Sequence, residues 1–183
     1  MKIHQTPITG LVAVESEAQN DERGSFIRLY CQKELREIVG TRQIVQINRS
    51  HTRNVGAVRG LHYQHAPHAE MKLVCCLKGK VWDVAVDLRA GSPTFLKWHA
   101  EELSCEDTRM MVIPEGCAHG YQVLVADSEL LYLHTASYSS STEGGVRPTD
   151  SRLSIRWPLP VQDLSERDLS HPLLTSDFTG LVI

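Results

Sequence analysis

Met71-Lys72-Leu73-Val74-Cys75-Cys76-Leu77-Lys78-Gly79-Lys80-Val81-Trp82-Asp83-Val84-Ala85-Val86-Asp87-Leu88 decides the fold class. Two apolar runs rich in branched side chains meet at a glycine, so the stretch reads as two strands joined at Lys78-Gly79-Lys80. Cys75 and Cys76 are neighbours in the first run and therefore point to opposite faces, so they cannot jointly hold a metal. Outward from this stretch the same signal recurs between turn residues: Ile44 to Ile47, Met110 to Ile113, Tyr121 to Val125 and Leu130 to Thr135. Helical periodicity is confined to Gln32 to Val39, ended by Gly40. The expectation is an all-β chain with one or two short helices, folded as an antiparallel sandwich or barrel of which the double-sheet jelly roll is one form. Ser137 to Gly145 reads as a long loop, and the chain from Pro158 onward as irregular structure that packs back on the body. No composition shift marks a linker, so residues 1–183 are expected to form one domain.

The formal net charge of -3 gives no overall attraction for nucleic acid or an acidic membrane surface. An anionic ligand needs a local cluster of cations, for which Arg23, Arg28, Arg59 and Lys72 are the candidates. No stretch approaches the roughly 20 apolar residues of a membrane span, and Met1-Lys2-Ile3-His4-Gln5-Thr6-Pro7 opens no secretory signal. A cytoplasmic protein is expected, with no nucleic-acid or membrane partner. Five irregularly spaced cysteines argue against a disulfide framework and for reduced thiols.

Chemistry concentrates in Ala57-Val58-Arg59-Gly60-Leu61-His62-Tyr63-Gln64, followed by Lys72. A guanidinium, an imidazole and an ammonium can together bind an anion, take a proton and stabilise the oxyanion that results. A second motif is Pro114-Glu115-Gly116-Cys117-Ala118-His119-Gly120-Tyr121. Read as a metal site, these histidines fail on spacing. His62 and His65 differ by three and would face opposite ways in a strand, while His65 and His68 flank Pro67 in a loop. No metal is expected.

With Asp21-Glu22-Arg23-Gly24, Gly91-Ser92-Pro93-Thr94-Phe95, Leu164-Ser165-Glu166-Arg167-Asp168 and Pro172-Leu173-Leu174, these motifs resemble the dTDP-4-dehydrorhamnose 3,5-epimerase family over most of the chain. The resemblance implies a cupin-like jelly roll, a homodimer whose N-terminal segments cross to the partner, and an epimerase that acts at C3 and C5, or at C5 alone, and uses no cofactor. Its substrate would be a nucleotide-diphosphate 4-keto-6-deoxy sugar, whose C–H bonds beside the carbonyl are acidic because their loss gives an enolate. The resemblance makes His62 the base, Asp168 its partner, Tyr132 the acid on the opposite face and Lys72 the cation at the enolate oxygen. It places Arg23 and Arg59 on the diphosphate, Gln46, Asn48 and Phe26 on the nucleotide, and His119, Tyr138 and Glu143 near the diphosphate and sugar.

One departure bears on the nucleotide. Where the family reads RGxFxE, this chain has Arg23-Gly24-Ser25-Phe26-Ile27-Arg28. A carboxylate can accept the N3–H of thymine, whereas the donor-only Arg28 suits the acceptors of cytosine, so a CDP-linked sugar is the alternative substrate. Arg167 stands where lysine is frequent, Ser137 precedes Tyr138 where a second tyrosine is common, and Ser140 and Pro148 replace proline and tryptophan. Two readings of other classes stand beside the epimerase: a metal-dependent cupin enzyme, and a cupin that binds sugar nucleotides without catalysis.

Overall fold

The computed structural model describes residues 1–183. In chain order the elements are β1 (Lys2–Gln5), β2 (Val12–Glu15), β3 (Gln19–Asp21), β4 (Gly24–Phe26), α1 (Arg36–Val39), β5 (Gln46–Thr52) and β6 (Val58–Gln64). There follow β7 (Lys72–Lys78), β8 (Lys80–Asp87), β9 (Trp98–Ser104), β10 (Arg109–Ile113), β11 (Cys117–Val123), β12 (Ser128–His134), β13 (Glu143–Gly145) and α2 (Glu166–Ser170). A six-stranded sheet, β1-β2-β10-β7-β12-β5, and a five-stranded sheet, β13-β6-β11-β8-β9, are antiparallel throughout; β3 and β4 form a separate ribbon. No helix is long and apolar enough to cross a membrane.

The two strands joined at Gly79 do not pair with each other: β7 lies between β10 and β12, and β8 lies between β11 and β9. The chain therefore changes sheets at Gly79, which adopts φ +75°, and a Cβ there would stand 2.4 Å from Ser128 Oγ. Period-two alternation then sorts side chains into three layers. Val74, Cys76 and Leu130 of the larger sheet meet Val81, Ala85 and Val123 of the smaller one in the interior. Leu73, Cys75 and Val112 face outward and are covered by Leu35 and Val39 of the α1 region. Val84, Val86 and Ala118 face outward on the other side, beneath Leu153, Trp157, Phe178 and Leu181 of the C-terminal segment. Cys75 and Cys76 thus do lie in different layers.

Several expectations change. The helix is one turn, Arg36–Val39; residues 32 to 35 form turns, and Leu35 at its start supplies no side-chain cap. The strand expected at Ile44 begins at Gln46 and runs to Thr52, a polar sequence at the sheet edge with no apolar alternation to betray it. β1, β2, β3, β4, β6 and β9 carry no prediction, and Glu143–Gly145 of the expected loop pairs with β6 as β13.

Candidate active site

The interior is apolar at one end and polar at the other. At the polar end a cavity of about 560 Å³ opens between the sheets, within the usual range of roughly 300–1,000 Å³ for small-molecule sites. Gln46, Asn48, Ser50, Lys72, Tyr132 and His134 reach it from the six-stranded sheet; Arg59, His62, His119 and Tyr121 reach it from the five-stranded one. Four cations, Arg49, Arg59, Lys72 and Arg167, face two carboxylates, Glu70 and Glu143, along its lining. That balance suits an anionic ligand.

Arg59 and His62 differ by three in sequence yet face the same cavity because β6 is bulged. Residues His119 and Tyr121, two apart on β11, pair with His62 and Arg59, three apart on β6. Gly60 supplies the extra residue at φ +131°, and a Cβ on it would lie 2.6 Å from Gly120 Cα. No other residue fits there without moving β11.

His62 Nε2 lies 2.6 Å from Asp168 Oδ1. Asp168 is held by α2, whose N-cap Ser165 accepts a hydrogen bond from the Asp168 N–H at 3.1 Å. Burial pushes the Asp168 carboxyl up, but hydrogen bonds from His62, Ser165 and the Gly60 N–H outweigh it and leave it below the ordinary value. The carboxylate is therefore kept charged beside the imidazole. Arg167 Nη2 stands 3.0 Å from His62 Nε2, and its guanidinium also pairs with Glu143 at 3.2 Å.

Across the cavity, Lys72 is buried, with Nζ donating to the His62 carbonyl at 3.2 Å and pairing with Glu70 Oε1 at 3.2 Å. The other Glu70 oxygen holds His134 Nδ1 at 2.7 Å, and His134 stacks on Tyr132 with ring centroids 6.0 Å apart. Burial raises the Tyr132 phenol well above its ordinary pKa, so it stays protonated. Its hydroxyl lies 3.2 Å from Ser50 Oγ. His119 Nε2 meets Asp83 Oδ1 at 2.7 Å deeper in.

His62, Lys72, Tyr132 and Asp168 are thus brought together, and Gln46, Asn48, Arg59, His119, Tyr138 and Glu143 join them in or beside the cavity. Tyr138 donates its phenolic hydrogen to Glu143, and its backbone N–H to Gln46 Oε1 at 2.9 Å. Arg23, Phe26 and Arg28 are not brought to the cavity of their own chain. Arg23 pairs with Asp21 in the β3–β4 turn, Phe26 is 69% exposed, and Arg28 Nη1 donates to Glu34 Oε1 at 2.6 Å. Sequence reasoning missed Asp83, His134, Ser50 and Tyr121. Only Asp83 left a signal, as a charge at an inward position of an apolar strand.

The histidines proposed for a metal scatter: His65 is exposed, and His119 is committed to Asp83. His62, Asp168 and His171 do offer ligand atoms within 4.8 Å of one another. The Arg167 guanidinium against His62 opposes a second cation at that point.

Residues 5–176 match the family model described as dTDP-4-dehydrorhamnose 3,5-epimerase. A dTDP-4-dehydrorhamnose 3,5-epimerase of Shigella flexneri is 42% identical over 171 residues, covering 93% of this chain and 94% of its own. The crystal structure of the enzyme of that name from Elizabethkingia anophelis superposes with a TM-score of 0.91 at 40% identity, covering 97% of this chain and 98% of its own. A dTDP-6-deoxy-D-glucose-3,5-epimerase from Legionella pneumophila, solved with dTDP-4-keto-L-rhamnose, gives 0.90 at 38% identity, covering 100% and 98%. With sequence and fold agreeing over nearly the whole chain, the protein belongs to the dTDP-4-dehydrorhamnose 3,5-epimerase family.

Proposed function

We propose that the protein is a cofactor-independent isomerase that inverts C3 and C5 of a dTDP-linked 4-keto-6-deoxyhexose. The observation that carries this reading is the placement of two proton-carrying side chains on opposite walls of one cavity, His62 on the five-stranded sheet and Tyr132 on the six-stranded sheet. Inversion of a carbon needs removal of a proton from one face and return to the other. His62 takes the C–H proton, and Asp168, held ionised, stabilises the imidazolium. The electron pair moves to the 4-keto oxygen, where the Lys72 ammonium stabilises the enolate. Tyr132 then donates its phenolic proton to carbon from the far side. Arg59, whose guanidinium makes its one hydrogen bond to the His51 carbonyl, is the cation for the diphosphate.

The nucleotide is proposed as dTDP because the Legionella relative binds a dTDP sugar and because Arg28 is engaged by Glu34. A homodimer acting in the cytoplasm completes the proposal. The ribbon bearing Arg23, Phe26 and Arg28 is exposed, as are Val45 and Ile47 beside and on the edge strand β5, which suits a partner chain. Residues 1–183 act as one domain, since the site draws on both sheets and on α2. The test is proton NMR of dTDP-4-keto-6-deoxyglucose incubated with the protein. Inversion at C3 and C5 is expected, and unchanged sugar would overturn the proposal.

A further inference from the structure

A file of hydroxyl groups runs from Tyr132 along the cavity wall through Ser50 and Tyr121 to Thr52, which lies outside the cavity lining. Tyr132 OH lies 3.2 Å from Ser50 Oγ, Ser50 Oγ lies 3.1 Å from Tyr121 OH, and Tyr121 OH lies 2.8 Å from Thr52 Oγ1. The file is built by topology. Ser50 and Thr52 are two apart on β5 and share a face, Tyr132 is on neighbouring β12, and Tyr121 reaches across from β11 of the other sheet. Its ends open on adjoining spaces: Tyr132 lines the substrate cavity, whereas Thr52 lines a second polar cavity of about 730 Å³ with His51, Asn54 and Asp163, which meets the first at Arg59, His62 and Arg167. Each hydroxyl can donate one hydrogen bond and accept others, so the whole file can reverse direction together.

We propose that Thr52, Tyr121 and Ser50 form a proton relay that reloads Tyr132 from water in the second cavity while the sugar fills the first. The proposal rests on the epimerase reading with Tyr132 as the acid. When Tyr132 protonates the enolate carbon, the enolate electron pair forms the new C–H bond, the C4 carbonyl re-forms, and the phenol O–H breaks to leave a phenolate. The phenolate then takes the Ser50 hydrogen as Ser50 takes that of Tyr121, Tyr121 that of Thr52, and Thr52 one from solvent. The proton His62 removed returns to solvent, so no proton is consumed. Inverting two carbons in one visit requires Tyr132 to deliver twice. A buried phenolate is costly, and a sugar seated against it closes the direct path to water, so the second delivery depends on the relay.

Thr52, Tyr121 and Ser50 are positioning residues in this scheme, and Thr52→Val is the cleanest probe because Thr52 does not line the substrate cavity. Thr52→Val should slow formation of the doubly inverted sugar by about tenfold or more and release singly inverted sugar instead. Wash-out of the substrate hydrogen into deuterated water, which depends on His62, should persist, and dTDP binding should be unchanged. The rate of the unmodified protein in mixtures of light and heavy water should depend on several protons in flight, and that curvature should flatten in the variant. Thr52→Ser should restore both rate and product. Should Thr52→Val fail to fold, Tyr121→Phe cuts the file at its middle; it too should release singly inverted sugar while wash-out of the substrate hydrogen persists. Unaltered product distribution in the variant, parallel loss of wash-out and epimer, or no rescue by serine would each overturn the relay. Absence of any epimer from the unmodified protein would instead overturn the epimerase reading.

Discussion

Two histidine–aspartate pairs stand side by side in this molecule, on strands that pair His62 directly with His119. Both histidines face the interior, and both place Nε2 within 2.7 Å of a carboxylate oxygen. Their carboxyls are driven in opposite directions. Asp83 is wholly buried, its second oxygen has no hydrogen-bond partner, and burial pushes its pKa up despite the neighbouring His119. Asp168 lies nearer the solvent, so burial raises it less, and His62, Ser165 and the Gly60 N–H together hold it below the ordinary value. In the proposed mechanism Asp168, whose anion is favoured, suits a base that must become an imidazolium; Asp83, whose anion burial disfavours, suits a fixed hydrogen-bonding unit. Depth of burial makes most of the difference, and the N-cap of α2 and the Gly60 N–H add to it on the Asp168 side.

That contrast breaks most readily at its active member. His62→Ala is expected to lower turnover by about a hundred- to ten-thousandfold with little change in dTDP affinity, read by steady-state kinetics and calorimetry. Asp168→Asn should cost about a hundredfold or more, and the double variant should be no worse than His62→Ala alone. Additive losses would mean that the two residues do not act as a unit. Asp83→Asn sharpens the other side. It keeps an oxygen toward His119 and removes a carboxyl that burial already disfavours as an anion, so turnover should fall by about tenfold at most. A loss as large as that of Asp168→Asn would erase the distinction drawn here.

The smallest expected effect concerns the exposed ribbon. With Arg28 held by Glu34, dTDP should bind more tightly than CDP, by about tenfold or less, and Arg28→Glu should not reverse the order. Calorimetric titration of both nucleotides checks this. A preference for CDP would place the Arg28 guanidinium on the base, as its donor-only chemistry allows.

The fold was legible in Lys72–Lys78 and Lys80–Asp87, where long apolar runs report a hydrophobic layer, but not at Val12–Glu15, which is buried yet only four residues long. It was illegible at β5, whose inner face is Gln46, Asn48 and Ser50 and whose outer face meets solvent: a strand lining a polar cavity has no apolar period. Of the proposed proton-transfer residues, His62 and Lys72 stood out in their own motif, whereas Tyr132 and Asp168 were legible through resemblance alone. No local pattern links His62 to Asp168, which lies 106 residues away and is carried in by the C-terminal segment. The bulge at Gly60 cannot be read from spacing, which by simple alternation sets Arg59 and His62 on opposite faces. Ser50, Tyr121 and Thr52 were invisible for a further reason: a hydroxyl acquires meaning only from its neighbours across the two sheets.

The account stands most directly on proton removal and proton return being divided between opposite walls, and Tyr132→Phe in deuterated water measures that division. The variant should still exchange the substrate hydrogens for deuterium, because His62, Asp168 and Lys72 are intact, while forming little epimer, since no acid faces the far side of the enolate. Exchange and epimerisation falling together by the same factor would contradict it.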